Sequence, residues 1–346
     1  MIKKKVVVVG GGPAGHNAAA LAARYGAQVV LVERDVIGGL AHLRDCVPSK
    51  SMIATGGALS FARRLDGMGL AQVETEINVQ QLRNRIQSIE DRLERSVTEL
   101  LTSLEVQIIR GTAHLSGPNS VSVKTEVDEI EIEADVIVLA TGSRPRIPEW
   151  AVIDSERILT TRDAYPPKEI PEHLVVVGSG VTGVEFVHMF SSLGSEVTLI
   201  VSRQQVLPNK DPEAAALLEQ TFLDRGVQLF KGARATGIKR TGQKVEVYCS
   251  DGRLAKGSHA LIAIGSQPNT ESLGLDNANV LLNSDGHVEV DHNLKSSVPS
   301  IYVAGDLSGK LPLSSVAAMQ GRKIAEHIMG LHDGRPHRHL AYDKAA

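Results

Sequence analysis

Residues 5–15 read KVVVVGGGPAG, and their order predicts a buried strand, a tight turn and the start of a helix. Four consecutive valines are typical of a strand that is buried on both faces. Gly10, Gly12 and Gly15 form the pattern G-x-G-x-x-G. The first glycine allows the turn, the second lets the backbone approach a pyrophosphate, and the third lets the helix pack closely on the strand. The segment is therefore predicted to bind a dinucleotide by its phosphates.

An acidic residue follows this glycine turn at a suitable distance. The next apolar run, AQVVLVE, ends at Glu33, about 18 residues beyond Gly15. A carboxylate at this spacing accepts a hydrogen bond from a ribose 2′-hydroxyl. Glu33 is thus the predicted ribose ligand of the first dinucleotide.

The pattern recurs in residues 173–203, which read HLVVVGSGVTGVEFVHMFSSLGSEVTLIVSR. The glycines of this second copy are Gly178, Gly180 and Gly183. Two copies in one chain predict two bound dinucleotides.

The second copy has no acid at the position that corresponds to Glu33. Val201 stands there, followed by Ser202 and Arg203. A carboxylate would repel a 2′-phosphate, whereas a hydroxyl and a guanidinium accept one. The sequence therefore predicts that NADPH is tolerated at the second site, with Arg203 as a solvated loop cation the alternative.

Charge and composition exclude several other classes of protein. The formal net charge of −3 over 346 residues gives no electrostatic reason to expect binding to nucleic acid. The four-residue apolar run after MIKKK is too short for a signal peptide or a membrane span. Two distant cysteines, Cys46 and Cys249, favour a reducing cytoplasm over a disulfide framework. No metal site is expected, and the histidines of the terminal LHDGRPHRHL are interpreted as a solvated tail.

Later motifs predict how the chain divides into domains. VIVLATGSRPRIP and ALIAIGSQPNT each read as a strand leading into a glycine turn, and SIYVAGDLSG delivers Asp306 into a turn near the end of the chain. An acid so far along predicts that the chain returns to complete the first domain. The predicted domains are residues 1–150 with 271–346 for the first dinucleotide and 151–270 for the second.

In combination, GGGPAG, GG…CVPSK, ATGSRP, GSGVTGVE and AGD resemble the motifs of the pyridine-nucleotide disulfide oxidoreductases, which include glutathione reductase and lipoamide dehydrogenase. The resemblance implies an α/β fold with two Rossmann-like, doubly wound, three-layer domains. It implies FAD on the first glycine turn and NADPH or NADH on the second. Full-length members form homodimers through a C-terminal interface domain, which this chain is expected to lack, either as a fragment or as a two-domain form.

The resemblance also implies roles for particular residues. Lys50 matches a lysine near flavin N5, Glu185 matches its carboxylate partner, and Asp306 matches the residue that binds the ribitol of FAD. A helix in LPLSSVAAMQGRKIAEHI, capped by Ser314 or Ser315, is expected to point its amino terminus at the flavin. The other expected cofactor contacts are Pro13, Ala14, Arg34, Gly39, Ala113, Thr141, Gly142, Val181, Gly265, Leu313 and Ser314.

One departure from the family pattern bears on function. The pattern G-G-T-C-x-N-x-G-C-x-P-S-K places its first cysteine on Ala41 and its second on Cys46. Disulfide exchange needs an attacking thiolate and a partner thiol, and Ala41 supplies neither. A reduced flavin can instead pass electrons directly to a quinone. Cys46 is either a thiolate in contact with the flavin or a small apolar residue against it.

Segments such as SSVAAMQGRKIA and DCVPSK resemble the actinobacterial NAD(P)H:quinone reductase branch of the family. The leading hypothesis is therefore an FAD enzyme that oxidises NAD(P)H and reduces quinones or similar diffusible acceptors. The alternatives are a soluble pyridine nucleotide transhydrogenase and a non-catalytic FAD-binding subunit that needs a partner chain.

Overall fold

A computed structural model describes residues 3–71 and 74–331, except for the side chain of Asp66. His332, His337 and His339 of the predicted solvated tail lie outside the described residues. The chain forms two compact units. The first comprises the described parts of Met1–Arg44, Glu90–Arg144 and Gln267–Ala346, and the second comprises those of Asp45–Ile89 and Pro145–Ser266.

The described residues form six α-helices. Within the described residues, none is both long and apolar enough to cross a membrane. The α-helices are α1 (Pro13–Arg24), α2 (Val47–Ala62), α3 (Val79–Ser103), α4 (Val181–Leu193), α5 (Pro212–Asp224) and α6 (Ser314–Ile328). A π-helix spans Ala41–Cys46, and 3₁₀ turns span Asp66–Met68, Leu275–Ala278 and Gly305–Ser308.

The strands are short, and those of the two glycine motifs are almost wholly apolar. They are β1 (Lys5–Val9), β2 (Gln28–Glu33), β3 (Gln107–Arg110), β4 (Thr112–Gly117), β5 (Ser120–Lys124), β6 (Glu129–Glu133), β7 (Val136–Leu139), β8 (Ser143–Pro145), β9 (Ile158–Thr160), β10 (His173–Val177), β11 (Glu196–Val201), β12 (Gln228–Lys231), β13 (Ala235–Thr241), β14 (Lys244–Cys249), β15 (Leu254–Gly257), β16 (His259–Ile262), β17 (Ser266–Pro268) and β18 (Ile301–Val303).

The first unit contains a five-stranded parallel sheet in the order β18-β7-β1-β2-β3 and a three-stranded antiparallel sheet, β4-β5-β6. Strand β1 lies at the centre and is buried on both faces. Val6 and Val8 pack with α1 and α6, whereas Val7 and Val9 pack with the antiparallel sheet. Because side chains alternate across a strand, four successive valines serve both layers, and the unit has three layers.

The second unit repeats this arrangement. Its parallel sheet has the order β12-β11-β10-β16-β9, and its antiparallel sheet is β13-β14-β15. Leu174 and Val176 of β10 pack with Phe186 and Phe190 of α4. Val175 and Val177 face the antiparallel sheet. The predicted α/β fold with two doubly wound, three-layer units is therefore confirmed.

The compact units differ from the predicted domain ranges at one long segment and by a few residues at two boundaries, since residues 145–150 group with the second unit and 267–270 with the first. Residues 45–89, which the prediction assigned to the first domain, group with 145–266 in the second unit. The return of the chain to the first unit after residue 266 follows the expected order. Which nucleotide each unit binds stays a prediction.

Helices α2 and α4 pack closely within the second unit. Gly56 of α2 is buried, and a Cβ placed there would lie 2.9 Å from the Cβ of Ser192. The neighbouring Gly57 is exposed, and a Cβ there would meet no atom within 4 Å. These adjacent glycines therefore differ in purpose, since only Gly56 permits the helices to approach.

Gly56→Ala is expected to lower the free energy of unfolding by about 1–3 kcal/mol, because α2 must move away from α4. The matched control Gly57→Ala is expected to raise it by about 0.5–1 kcal/mol, because alanine favours the helix and meets nothing. Urea denaturation of both variants measures the difference. Equal shifts in the two variants would contradict close packing at Gly56.

Candidate functional site

The first glycine turn connects β1 to α1 and has no room for side chains. Gly10 has φ +103°, and a Cβ there would lie 2.4 Å from the carbonyl oxygen of Ala140. A Cβ on Gly15 would lie 1.8 Å from the oxygen of Gly10. Gly12 is the N-cap of α1 and offers no side chain to cap it. Pro13 has no amide proton, and the amides that follow it in the first turn, beginning with that of Ala14, have no capping side chain and remain available to an external anion.

Glu33 lies at the carboxyl end of β2, beside the same turn. Its Oε2 accepts a hydrogen bond from the amide of Gly11 at 2.6 Å, and its Oε1 accepts one from the amide of Asp35 at 2.8 Å. A carboxylate has about four acceptor positions, so further lone pairs remain for a ribose hydroxyl. The exposed Arg34 pairs with Asp35 at 3.2 Å.

Gly39 closes one side of the first turn. A Cβ on Gly39 would lie 2.5 Å from the Cα of Gly12, so the two backbone segments approach too closely for a side chain at Gly39. Ala113 lies in β4, where its side chain is buried with Val9 and Val32 in the core between the two sheets, and its contact with a cofactor stays a prediction.

Asp306 lies in a 3₁₀ turn after β18, and two hydrogen bonds fix this turn. Its Oδ2 accepts a hydrogen bond from Ser143 Oγ at 2.6 Å. The amide of the preceding Gly305 donates to Oε1 of the fully buried Gln320 at 2.7 Å. Gln320 carried no sequence signal, but it fixes the turn that presents Asp306.

The turn after β7 has the predicted glycine conformation. Gly142 has φ +65°. The hydroxyl of Thr141 donates to the carbonyl oxygen of Asn269 at 3.1 Å, and the side-chain amide of Asn269 returns a bond to the carbonyl of Thr141 at 2.8 Å. This reciprocal pair ties the turn after β7 to the segment in which the chain re-enters the first unit.

The predicted cap of α6 was wrong. Leu313 is the N-cap, with extended backbone angles, and Ser314 is already the first helical residue. No side chain caps the helix. The helix begins one residue early because the backbone leaves its extended conformation at Leu313, and neither Ser314 nor Ser315 is placed to cap. Because no side chain caps α6, its first amides remain available to an external acceptor, as the predicted flavin site requires.

The second glycine turn repeats the geometry of the first. Gly178 has φ +111°, and its Cβ would lie 2.3 Å from the carbonyl oxygen of Ala263. A Cβ on Gly183 would lie 1.9 Å from the oxygen of Gly178. Gly180 is the N-cap of α4 without a capping side chain, and Val181 is 57% exposed beside it.

Further predicted residues of the second site follow carboxyl ends of the parallel strands. Gly265, with φ +99°, follows β16. Ser202 and Arg203 follow β11 and are exposed, and the carbonyl of Arg203 accepts a hydrogen bond from the amide of Gly232 at 3.0 Å. Open α/β sheets bind ligands at this edge, so the positions fit a nucleotide.

Lys50 and Glu185 form an ion pair within the second unit. Lys50 Nζ lies 2.7 Å from Glu185 Oε1, joining α2 to α4. The side chains are 58% and 35% exposed, respectively. Such a pair contributes little to stability, so its value lies in where it holds the charges. The sequence predicted the partners, and the structure brings them together.

Neither cysteine has a disulfide partner. Cys46 is half-buried at the start of α2, next to Lys50 in the same helix turn. Cys249 is buried in β14 of the antiparallel sheet, where burial raises the pKa of its thiol. A buried thiol with a raised pKa is a poor attacking group.

Sequence reasoning missed Tyr165, which lies beside the ion pair. Its ring is 7% exposed and stacks on Phe186 with 4.5 Å between centroids. Burial raises the pKa of Tyr165, and the negative charges of Glu185 and Asp45 raise it further. Tyr165 is a single aromatic residue before a proline, and no sequence motif or spacing distinguishes it from other tyrosines.

Two glycine turns, each opening on an uncapped helix, define a class of protein that binds two dinucleotides. Residues 4–321 match the pyridine nucleotide-disulphide oxidoreductase family, and the chain belongs to that family of oxidoreductases. Its members bind FAD and NAD(P)H. The missing Cβ atoms at Gly12 and Gly39 and the free amides of α1 and α4 fit these cofactors.

Several relatives share most of this chain. It is 43% identical over 338 residues to an NAD(P)H dehydrogenase (quinone) of Mycobacterium tuberculosis, covering 94% of this chain and 69% of the relative. It is 32% identical to a dihydrolipoyl dehydrogenase of Chlamydia pneumoniae, covering 94% and 70%. The crystal structure of LpdA from M. tuberculosis superposes with a TM-score of 0.89 at 43% identity, covering 94% of this chain and 72% of that one.

Asp306→Ala is expected to yield protein that loses most of its FAD, because the variant removes the acceptor that Ser143 orients. Ser143→Ala is expected to keep FAD but to raise its dissociation constant about tenfold. The flavin absorbance of purified protein and a fluorescence titration of apoprotein measure these effects. Asp285→Ala, an exposed acid of the same unit, is the control, and similar FAD loss there would refute a specific role for Asp306.

Proposed function

We propose that this protein passes electrons from NAD(P)H through FAD to quinones or similar diffusible acceptors, without a cysteine disulfide. The observation that carries the proposal is the placement of its two thiols. The family motif offers Cys46 alone, because Ala41 occupies the other cysteine position, and Cys249 is buried in the antiparallel sheet. A dithiol relay needs two thiols that can reach each other and the substrate.

The similarity to relatives supports the choice of acceptor. The M. tuberculosis relative at 43% identity is called an NAD(P)H dehydrogenase (quinone). Bound FAD supplies a carrier that accepts a hydride from a nicotinamide and releases electrons to a diffusible acceptor. The protein has to bind both dinucleotides, orient them and keep charge in place.

The residues of the first unit serve the flavin nucleotide in this proposal. Gly10, Gly12 and Gly15 admit the pyrophosphate, Glu33 accepts from a ribose hydroxyl, and Asp306 accepts from the ribitol. The uncapped amino terminus of α6 would favour negative charge on a bound flavin.

The residues of the second unit serve the nicotinamide nucleotide and the transfer of charge. The turn at Gly178, Gly180 and Gly183 admits the second pyrophosphate. The ammonium of Lys50, paired with Glu185 at 2.7 Å, provides a positive charge close to the start of α2. A preorganised charge needs no rearrangement when negative charge develops, and this is the usual source of electrostatic catalysis.

An acceptor panel tests the proposal. With NADPH as donor, turnover with menadione or a benzoquinone is expected to exceed turnover with lipoamide or glutathione disulfide by about a hundredfold or more. Cys46→Ser is expected to keep quinone turnover within about threefold, because no thiol carries electrons. Brisk disulfide reduction would refute the proposal. Faster transfer to a pyridine-nucleotide analogue than to any quinone would favour transhydrogenation.

Arg203 is the expected determinant for NADPH. Arg203→Ala is expected to lower kcat/KM for NADPH about tenfold, because a charge-assisted bond to the 2′-phosphate is lost, and to leave that for NADH unchanged. Arg225→Ala is the control, since Arg225 follows α5 at the amino end of β12, away from the carboxyl edge of the sheet. Steady-state kinetics with both nucleotides distinguish the outcomes. Equal losses for NADPH and NADH would contradict a role at the 2′-phosphate.

A further inference from the structure

A loop of the second unit joins β11 to α5 and carries Ser202 and Arg203, the residues predicted to bind a 2′-phosphate. Both residues are exposed. The loop leaves the sheet after Val201 and returns to the core at Val206, and both valines are fully buried. Residues 202–205 therefore connect two buried points. Because so short a segment has little reach, the position of Val206 limits where Arg203 can lie.

Glu219 of α5 binds the buried end of this loop. Its Oε1 accepts a hydrogen bond from the amide of Val206 at 2.9 Å. Glu219 is itself only 9% exposed, and its Oε2 accepts from Lys231 Nζ at 2.6 Å. A buried amide without an acceptor is costly, and so is a buried carboxylate without a counter-charge. The contacts of Glu219 satisfy both groups.

The next amide of the loop is bonded to the second glycine turn. The amide of Leu207 donates to the carbonyl oxygen of Ser179 at 2.8 Å, and Ser179 lies between Gly178 and Gly180. Leu207 has φ +48°, a conformation that leucine adopts only where its surroundings hold it. Two neighbouring amides thus attach the loop to α5 and to the turn that is predicted to hold a pyrophosphate.

The beginning of the loop is connected to Glu219 through Lys231. Lys231 is the last residue of β12, and the amide of the next residue, Gly232, donates to the carbonyl oxygen of Arg203 at 3.0 Å. The ion pair between Lys231 and Glu219 joins this end of β12 to α5. Glu219 therefore restrains the backbone on both sides of the exposed part of the loop.

We propose that Glu219 is a positioning residue that fixes the loop after β11, so that Ser202 and Arg203 are presented to a 2′-phosphate at the carboxyl edge of the sheet. The inference rests on the proposed function in one respect, namely that Arg203 binds this phosphate. Glu219 then contributes, through the loop, to the binding of NADPH but not of NADH. A merely structural role would affect both nucleotides alike, because they differ only in the 2′-phosphate.

Binding of oxidised nucleotides to the FAD-loaded protein tests this role without turnover. Glu219→Ala is expected to weaken the binding of NADP⁺ about tenfold and that of NAD⁺ by less than about twofold, as measured by isothermal titration calorimetry. Glu219→Gln is expected to bind NADP⁺ within about threefold of the unmodified protein, because its amide oxygen still accepts from Val206. Equal weakening of NADP⁺ and NAD⁺ in Glu219→Ala would overturn the proposal.

Asp154→Ala is the matched control, because Asp154 also holds a loop of the second unit by its backbone. The carboxylate of Asp154 accepts hydrogen bonds from the amides of Arg157 and Ile158, each at 2.8 Å, and pairs with Arg240. This loop precedes β9 and therefore lies at the amino edge of the same parallel sheet. The variant is expected to keep the ratio of NADP⁺ to NAD⁺ affinity within about twofold, and a tenfold fall in this ratio would overturn the proposal.

A double-mutant cycle shows whether Glu219 acts through Arg203. In an Arg203→Ala background, Glu219→Ala is expected to cause no further loss of NADP⁺ affinity, because the residue it positions is gone. A further tenfold loss in that background would show that Glu219 acts elsewhere and would overturn the proposal.

Limited proteolysis with trypsin measures the attachment of the loop itself. In the FAD-loaded protein without nicotinamide nucleotide, Glu219→Ala is expected to raise the rate of cleavage after Arg203 about tenfold, because the loop opens more often once Val206 loses its acceptor. Asp154→Ala is expected to raise cleavage after Arg157 and not after Arg203. Mass spectrometry of the peptides identifies each cleavage site.

The two kinds of measurement separate this inference from the proposed function. If Glu219→Ala accelerates cleavage after Arg203 while Arg203→Ala binds NADP⁺ as tightly as the unmodified protein, Glu219 fixes the loop and the role proposed for Arg203 is wrong. If Arg203→Ala weakens NADP⁺ while Glu219→Ala changes neither cleavage nor binding, the role of Arg203 stands and Glu219 has no positioning role.

Discussion

In each unit, a helix lies directly against the turn that precedes it, and only glycine allows this approach. No side chain fits at Gly15 or at Gly183, because a Cβ would lie 1.8 Å and 1.9 Å, respectively, from a carbonyl oxygen of the turn. This contact fixes where α1 and α4 begin relative to the central strand. The start of each helix determines where its free amides point. Each of the two dinucleotides is expected to bind at the amides of one helix. Larger residues at these glycines would move the helix and the anion site together.

A second close contact, between α2 and α4, brings the charged residues of the candidate site together. Helix α2 approaches α4 at Gly56, and the two helices carry Lys50 and Glu185, which meet at 2.7 Å. The same helix begins with Cys46 and carries the buried Ser49. The packing that buries Gly56 thus also sets the distance at which the charged pair is held. Because an exposed ion pair contributes little to stability, the proposed value of this pair lies in where the helices hold its charges.

The sequence predicted the fold and much of the candidate site because glycine spacing and strand burial are local signals. Four valines in β1 predicted a strand that is packed on both faces, and the repeat at residues 173–203 predicted the second unit. Side-chain networks leave no such signal. Tyr165 stacks on Phe186 and Gln320 accepts a hydrogen bond from Gly305, and only the folded chain shows these partners, which lie more than ten residues away. The cap of α6 was misassigned because serine is a preferred N-cap, whereas the backbone turns at Leu313.

Helix α3 shows the limit of periodicity in another way. Apolar residues recur at spacings of three and four over residues 78–104 and include Leu100, yet Leu100 is 49% exposed and the adjacent Leu101 is fully buried. The buried face also includes Glu90, which is 2% exposed and paired with Arg44. Burial raises the pKa of Glu90, and the charge of Arg44 opposes that shift. The spacing of apolar residues cannot predict that an acidic residue is buried, because its burial depends on a partner that is far away in the sequence.

The central claim is that electrons from a nicotinamide leave this protein through the flavin, with no thiol pair as a second store. Anaerobic titration of the FAD-loaded protein with dithionite counts the electrons that each protein molecule accepts. A flavin alone accepts two electrons, whereas a flavin with a redox-active disulfide accepts four. The account predicts complete bleaching after about two electrons, with the same end point for Cys46→Ser. Uptake of about four electrons in the unmodified protein would contradict it.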